Sequence, residues 1–130
     1  MQKEVIVDYN TELNKELKLL LKKSYQELSK IEKKSIKLAF ETAKNAHGNQ
    51  VRKSGEPYIF HPLKVARIVS EEIGLGATSI IAALLHDVVE DTNITLDDIE
   101  ILFGKEVSKI VDGLTKISKL SKDKRVSIQA

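Results

Sequence analysis

The fold turns on the stretch Ala82-Ala83-Leu84-Leu85-His86-Asp87-Val88-Val89-Glu90-Asp91-Thr92. It closes a run that begins at Ala77 and contains the longest purely apolar segment of the chain, Ile80 to Leu85. This pattern predicts a helix from Ala77 to roughly Asp91, the most apolar of the chain and therefore central. At about 100° per residue, with His86 as origin, Glu90 falls at about 40°, Asp87 at about 100° and Asp91 at about 140°. Val88 and Val89 fall on the other side. A buried helix that ends in four clustered ionisable groups needs something to offset their desolvation, and a cation does so. The competing reading is a helix end that frays into solvent, although carboxylates near a helix C-terminus oppose its dipole.

Working outward, His61 precedes Pro62 at the start of the preceding helix. Antiparallel packing brings the start of one helix beside the end of the next, so His61 can meet His86 and Asp87. Two imidazoles and one carboxylate suit Mn, Fe, Zn or a related divalent ion. The alternative for His61 is a capping or core histidine at a loop–helix junction. Arg52 and Lys53 stand in the loop leading to His61, where paired cations suit a polyphosphate substrate. A solvated surface pair is the alternative. His47 is ambiguous: it can simply terminate its helix, and spacing assigns it no role.

The rest of the chain reads as helices. Asn10 and Thr11 are expected to cap a first helix that carries Leu13, Leu17, Leu20, Leu21, Tyr25 and Leu28 on one face. A second is expected over Lys34–Ala46, with Ile36, Ala39, Phe40 and Ala43 at core spacing and a stop near Gly48. Gly48 to Phe60 reads as a loop, and Pro62 suits the first residue of a third helix. Leu63, Val65, Ala66, Ile68 and Val69 should lie beneath that helix, with Gly74 and Gly76 closing it. Thr95 and Asp98 form a capping-box-like pair that opens a short helix, Leu96 to Phe103. A last helix, Lys105 to about Ile117, carries Val107, Ile110, Val111 and Leu114, followed by a polar, lysine-rich tail from Ser118 to Ala130. The expected architecture is an all-α bundle of about six helices in a single domain, residues 1–130.

Bulk properties agree with a soluble globular chain. Of 130 residues, 42% are hydrophobic and 31% charged, and the net charge of +2 is too small to imply nucleic acid. Without cysteine, disulfides and thiolate metal sites are excluded. Met1 to Glu16 lacks the apolar core of a signal peptide, and no apolar run is long enough to span a membrane. A cytoplasmic location is the default expectation.

Two long segments carry a family resemblance. Ala46 to Ala66, whose centre is His47-Gly48-Asn49-Gln50-Val51-Arg52-Lys53-Ser54-Gly55-Glu56-Pro57-Tyr58, resembles the start of the hydrolase domain of RelA/SpoT homologues. Ala82 to Thr92 resembles that domain's second motif. Phe103-Gly104 and Val111-Asp112-Gly113-Leu114-Thr115-Lys116 resemble its later segments, so the likeness runs from about Lys34 onward. The resemblance implies an all-helical HD domain that binds Mn²⁺ and removes pyrophosphate from the 3′ position of (p)ppGpp, giving GDP or GTP. By motif position it implies His61, His86 and Asp87 as metal ligands. Glu90 and Asp91 match the acidic pair that activates or positions the attacking water. Arg52, Lys53 and Ser54 match the loop that contacts the guanine nucleotide.

The chain departs from the family pattern at its end. A fourth metal ligand, an Asp, is expected beyond Ala130, and Ser127-Ile128-Gln129-Ala130 resembles the sequence just before that continuation. The synthetase and regulatory domains of the family are absent from the sequence. The expectation is therefore an HD domain incomplete at its C-terminus, with weak metal binding and little turnover by itself. It also exposes apolar faces open to self-association. Two other readings stand beside it: an HD phosphohydrolase for another nucleotide, and a non-catalytic nucleotide-binding or interaction module.

Overall fold

Asp8 starts the first helix. In the computed structural model, which describes residues 8–129 and side chains through residue 120, its carboxylate accepts from the Thr11 backbone N–H at 3.3 Å and the Thr11 hydroxyl at 2.6 Å. Helix α1 (Tyr9–Lys22) thus begins earlier than the Asn10-Thr11 cap expected from sequence. It also ends earlier, at Lys22. Residues 23–29 turn away and fasten to the far end of the third helix. There the Tyr25 N–H donates to the Ser70 carbonyl at 3.2 Å, and the Gln26 amide donates to the Gly74 carbonyl at 3.1 Å. Leu28 still enters the core, but Tyr25 is 80% exposed, so the single apolar face read from the sequence is divided.

Helix α2 (Lys30–His47) opens on a full capping box between Ser29 and Glu32, ahead of the expected Lys34. Gly48 ends it at φ 55°, and Ile36, Ala39, Phe40 and Ala43 are buried as their spacing predicts. A loop follows in which Val51 and Pro57 form an isolated antiparallel bridge. Helix α3 (Phe60–Arg67) begins before Pro62, which the first turn tolerates because its N–H groups lack intrahelical partners anyway.

From Ile68 to Ile73 the helix widens into a π-helical turn and stops at Gly74, φ 79°. Ser70, seven residues after Leu63 and four after Ala66, keeps their buried face, whereas Ile68, expected beneath the helix, falls off that face and is 39% exposed. A Cβ at Gly74 would lie 3.1 Å from the Tyr25 ring, and one at Gly76 would lie 2.9 Å from the Gln26 amide. Both glycines let the 23–29 segment close in.

Helix α4 (Ala77–Leu85) is central: seven of its nine residues are buried, and it packs against α2, α3 and the last helix. It does not run to Asp91. The chain turns at His86-Asp87 and resumes as a single turn, α5 (Val88–Asp91). The His86 Nδ1 lies 2.5 Å from the Ala83 carbonyl and competes for an acceptor that a continuing helix would use, and Asp87 adopts φ −94°, ψ −8°. The continuous-helix angles assigned to Glu90 and Asp91 therefore do not hold.

Helix α6 (Leu96–Phe103) has the Thr95–Asp98 capping box with both bonds formed, and Gly104 ends it. Helix α7 (Lys105–Gln129) continues past the expected Ile117. Val107 and Val111 are buried, but Ile110 and Leu114 remain 37% and 39% exposed. Residues 1–7 and Ala130 lie outside the described residues, and with them parts of the Met1–Glu16 and Ser127–Ala130 readings. The described elements are all helical apart from the one bridge, and counting α4 and α5 together gives the expected six. None of the described helices is long and apolar enough to cross a membrane.

Candidate metal centre

The turn between α4 and α5 presents two of the candidate ligands. His86 and Asp87 leave the buried end of α4 side by side, with His86 Nε2 3.0 Å from Asp87 Oδ2. His61, in the first turn of α3, brings its Nε2 to 3.7 Å from the same oxygen. One donor atom from each of the three residues lies within 4.8 Å of the others, and the two imidazole centroids are 5.7 Å apart. This is the meeting of helix start and helix end expected from antiparallel packing. All three side chains are partly buried, between 18% and 34% exposed.

The donor set fits a divalent cation. The Ala83 carbonyl takes the Nδ1 side of His86, which leaves Nε2 as the atom available to a metal. Without one, both ring nitrogens face acceptors, an arrangement that favours the imidazolium. Burial alone would lower the His86 pKa, but Asp87 and the Ala83 carbonyl outweigh it and hold it above the ordinary value. Burial would raise the Asp87 carboxyl, yet hydrogen bonds from His86 and Tyr58 hold it at about 2. His61 moves the other way. Burial lowers its pKa, the attraction of Asp87 opposes this, and the neighbouring His86 and Arg52 charges reinforce it. A neutral His61 and an ionised Asp87 are the forms that bind metal.

Three residues around the site were not singled out from the sequence. Tyr58 donates its hydroxyl to Asp87 Oδ2 at 2.6 Å, and burial and the Asp87 charge raise its pKa. His47, buried at 3% exposure, lays its ring 4.7 Å from that of Tyr58, so it does more than end α2. Its Nδ1 contacts Gln50 Oε1 at 3.1 Å, and the Gln50 amide donates to the Asp91 carbonyl at 3.3 Å. The loop after α2 is thereby pinned to the His-Asp turn at Asp87 and to the end of α5 at Asp91. No local sequence signal marks Tyr58, because its partner Asp87 lies 29 residues away.

Arg52, Lys53 and Ser54 are exposed on the loop that the Val51–Pro57 bridge folds back. Arg52 stands close enough to act electrostatically on His61 and Tyr58, and it shares with His61 and Lys64 a cleft of about 500 Å³ whose lining also holds five glutamates, Glu12, Glu16, Glu56, Glu71 and Glu72. Lys53 and Ser54 do not line that cleft. They sit at the turn, where the Gly55 N–H donates to the Arg52 carbonyl. Glu90 and Asp91 are exposed on α5. Glu90 acts electrostatically on His86, and Asp91 on Tyr58. On the cleft's outer wall, Arg67 bonds Glu71 at 2.8 Å and Glu16 at 2.6 Å, joining α1 to α3.

Comparison with known proteins places this geometry in context. The HD domain family matches residues 39–130. The guanosine-3′,5′-bis(diphosphate) 3′-pyrophosphohydrolase of Aquifex aeolicus (strain VF5) is 53% identical over 85 residues, covering 65% of this chain and 12% of that protein. The bifunctional (p)ppGpp synthase/hydrolase SpoT of Escherichia coli (strain K12) is 48% identical over 93 residues, covering 71% of this chain and 13% of the relative. A GTP pyrophosphokinase of Myxococcus xanthus is 50% identical over 86 residues, 66% of this chain and 11% of its own length. The chain thus spans about an eighth of the length of the curated relatives it matches first. These names agree with the resemblance carried by the two motifs. With the match reaching over most of its length, and with His86-Asp87 on the turn after a buried helix, the chain belongs to the HD domain family.

Proposed function

We propose that this chain carries the hydrolase site for (p)ppGpp, releasing pyrophosphate from the 3′ position to leave GDP or GTP. The observation that supports it most is the convergence of His61, His86 and Asp87 on one point, with Arg52 lining the same cleft as His61. Relatives bearing the hydrolase name match over this same region, and the His/His/Asp set favours hydrolysis over the pyrophosphokinase activity named for others.

In this reading His61, His86 and Asp87 hold a divalent ion, Mn²⁺ by family resemblance. The ion supplies Lewis acidity that makes water nucleophilic near neutral pH and offsets charge on the phosphoryl oxygens. Tyr58 holds the Asp87 carboxylate in place. Glu90 and Asp91 orient the attacking water and accept its proton. Arg52 engages the phosphates or stacks on the base, and Lys53 and Ser54 extend that contact at the loop. The protein acts in the cytoplasm on a soluble nucleotide, with neither nucleic acid nor membrane as partner, and the exposed apolar residues of α7 allow self-association.

The test is release of pyrophosphate from ppGpp with Mn²⁺, by the 130-residue chain and by the E. coli relative with residues 39–130 grafted over its matching segment. Low turnover by the chain and Mn²⁺-dependent turnover by the graft, lost on Asp87→Ala, are expected. A graft that leaves ppGpp intact but cleaves ordinary nucleoside monophosphates contradicts the substrate assignment.

A further inference from the structure

A cleft larger than the one beside His61 lies away from the metal centre. It lies between the C-terminal half of α1 and the N-terminal half of α2, encloses about 730 Å³, and shares no lining residue with the cleft beside His61. That volume falls in the range of small-molecule sites. One wall is apolar, built from Leu17, Leu21 and Leu28. The lining also carries Lys18 and Lys22 from α1 and Lys33 and Lys37 from α2, all four exposed, with Glu27 as the only acidic lining residue.

None of these lysines has an ion pair among the described residues. Each helix therefore places two like charges four residues apart, an arrangement that is mildly destabilising in itself. The two pairs also face one cavity. An anion between them relieves both repulsions at once. The wall that closes the cleft is preformed, because residues 23–29 are fastened to Ser70 and Gly74 and seated against Gly74 and Gly76. Binding there does not have to order a loose loop, which removes a usual entropic cost.

We propose that this cleft is a second anion site, for a small molecule carrying two or more linked phosphates, with the leucine wall receiving whatever apolar or planar body is attached. Four ammonium groups match a polyphosphate better than a single carboxylate, since a compact ammonium serves as a point charge for phosphate. The site is separate from the metal centre and does not depend on the hydrolase reading.

The experiment is an amide NMR titration of the chain in EDTA, at physiological salt, with sodium pyrophosphate in one arm and GTP in the other. Saturable shifts are expected in residues 14–37, weakened roughly tenfold in a Lys18→Gln/Lys37→Gln double variant. That variant should melt no lower than the parent, because it removes like-charge pairs. Equal affinity in the two arms identifies the linked phosphates as the ligand, and tighter GTP adds a contribution from the leucine wall; either result supports the proposal. Shifts confined to the Arg52–Lys64 region overturn it. So do shifts that fail to saturate, or that persist unchanged in the folded double variant.

Discussion

The Tyr58 hydroxyl donates to Asp87 Oδ2 at 2.6 Å, across from His86 Nε2 at 3.0 Å on the same oxygen. A loop residue thereby fixes the orientation of a carboxylate that the end of a helix presents. Tyr58→Phe removes the donor and keeps the ring against His47. It should destabilise the metal-free protein by about 1–2 kcal/mol and weaken divalent-ion affinity by roughly 10–100-fold. Denaturant titration and calorimetry with Mn²⁺ or Zn²⁺ read the two effects separately. Unchanged metal affinity would remove Tyr58 from the site.

The two ligand histidines should titrate in opposite directions in the metal-free chain. His86 is held above the ordinary value of 6.5, so its stabilising contribution is present below 6.5 and lost as pH rises through its folded pKa. His61 is depressed below 6.5, so its contribution is present above that value and lost as pH falls through its folded pKa. Imidazole proton shifts against pH should place His86 above His61. His86→Gln and His61→Gln should change the pH slope of stability with opposite signs, and a reversed order contradicts the geometry given for Asp87.

Leu84 is fully buried in α4, whereas Ile101 on α6 is 82% exposed. Leu84→Ala should cost about 2–5 kcal/mol of stability, while Ile101→Ser should stay within about 0.5 kcal/mol. Urea midpoints distinguish them. A mild effect at Leu84 would mean that α4 is not the centre of the core.

What was legible in the sequence follows from what has a local signature. The Thr95–Asp98 cap, the stops at Gly48 and Gly104 and the buried face of α2 are set by spacing or by glycine, and the structure has them. The Ser29-x-x-Glu32 box was present in the sequence too, but the apolar pattern used to start α2 begins only after it. The turn at His86-Asp87 was hidden because the imidazole contact with the Ala83 carbonyl has no periodic mark. The widened turn at Ile68–Ile73 was hidden likewise. Tyr58 lies in a Gly/Pro loop where no periodicity singles out an aromatic residue. Its role emerges only once the loop folds back on the His-Asp turn.

A single divalent-cation site at His61, His86 and Asp87 can be read out by Mn²⁺ titration followed by electron paramagnetic resonance. Titrating Mn²⁺ into the chain should show loss of free-ion signal saturating at one ion per chain. Binding should be abolished in His61→Ala, His86→Ala and Asp87→Ala variants that remain helical by circular dichroism. Mn²⁺ binding that survives all three substitutions, or no binding by the folded parent at millimolar Mn²⁺ and neutral pH, would contradict it.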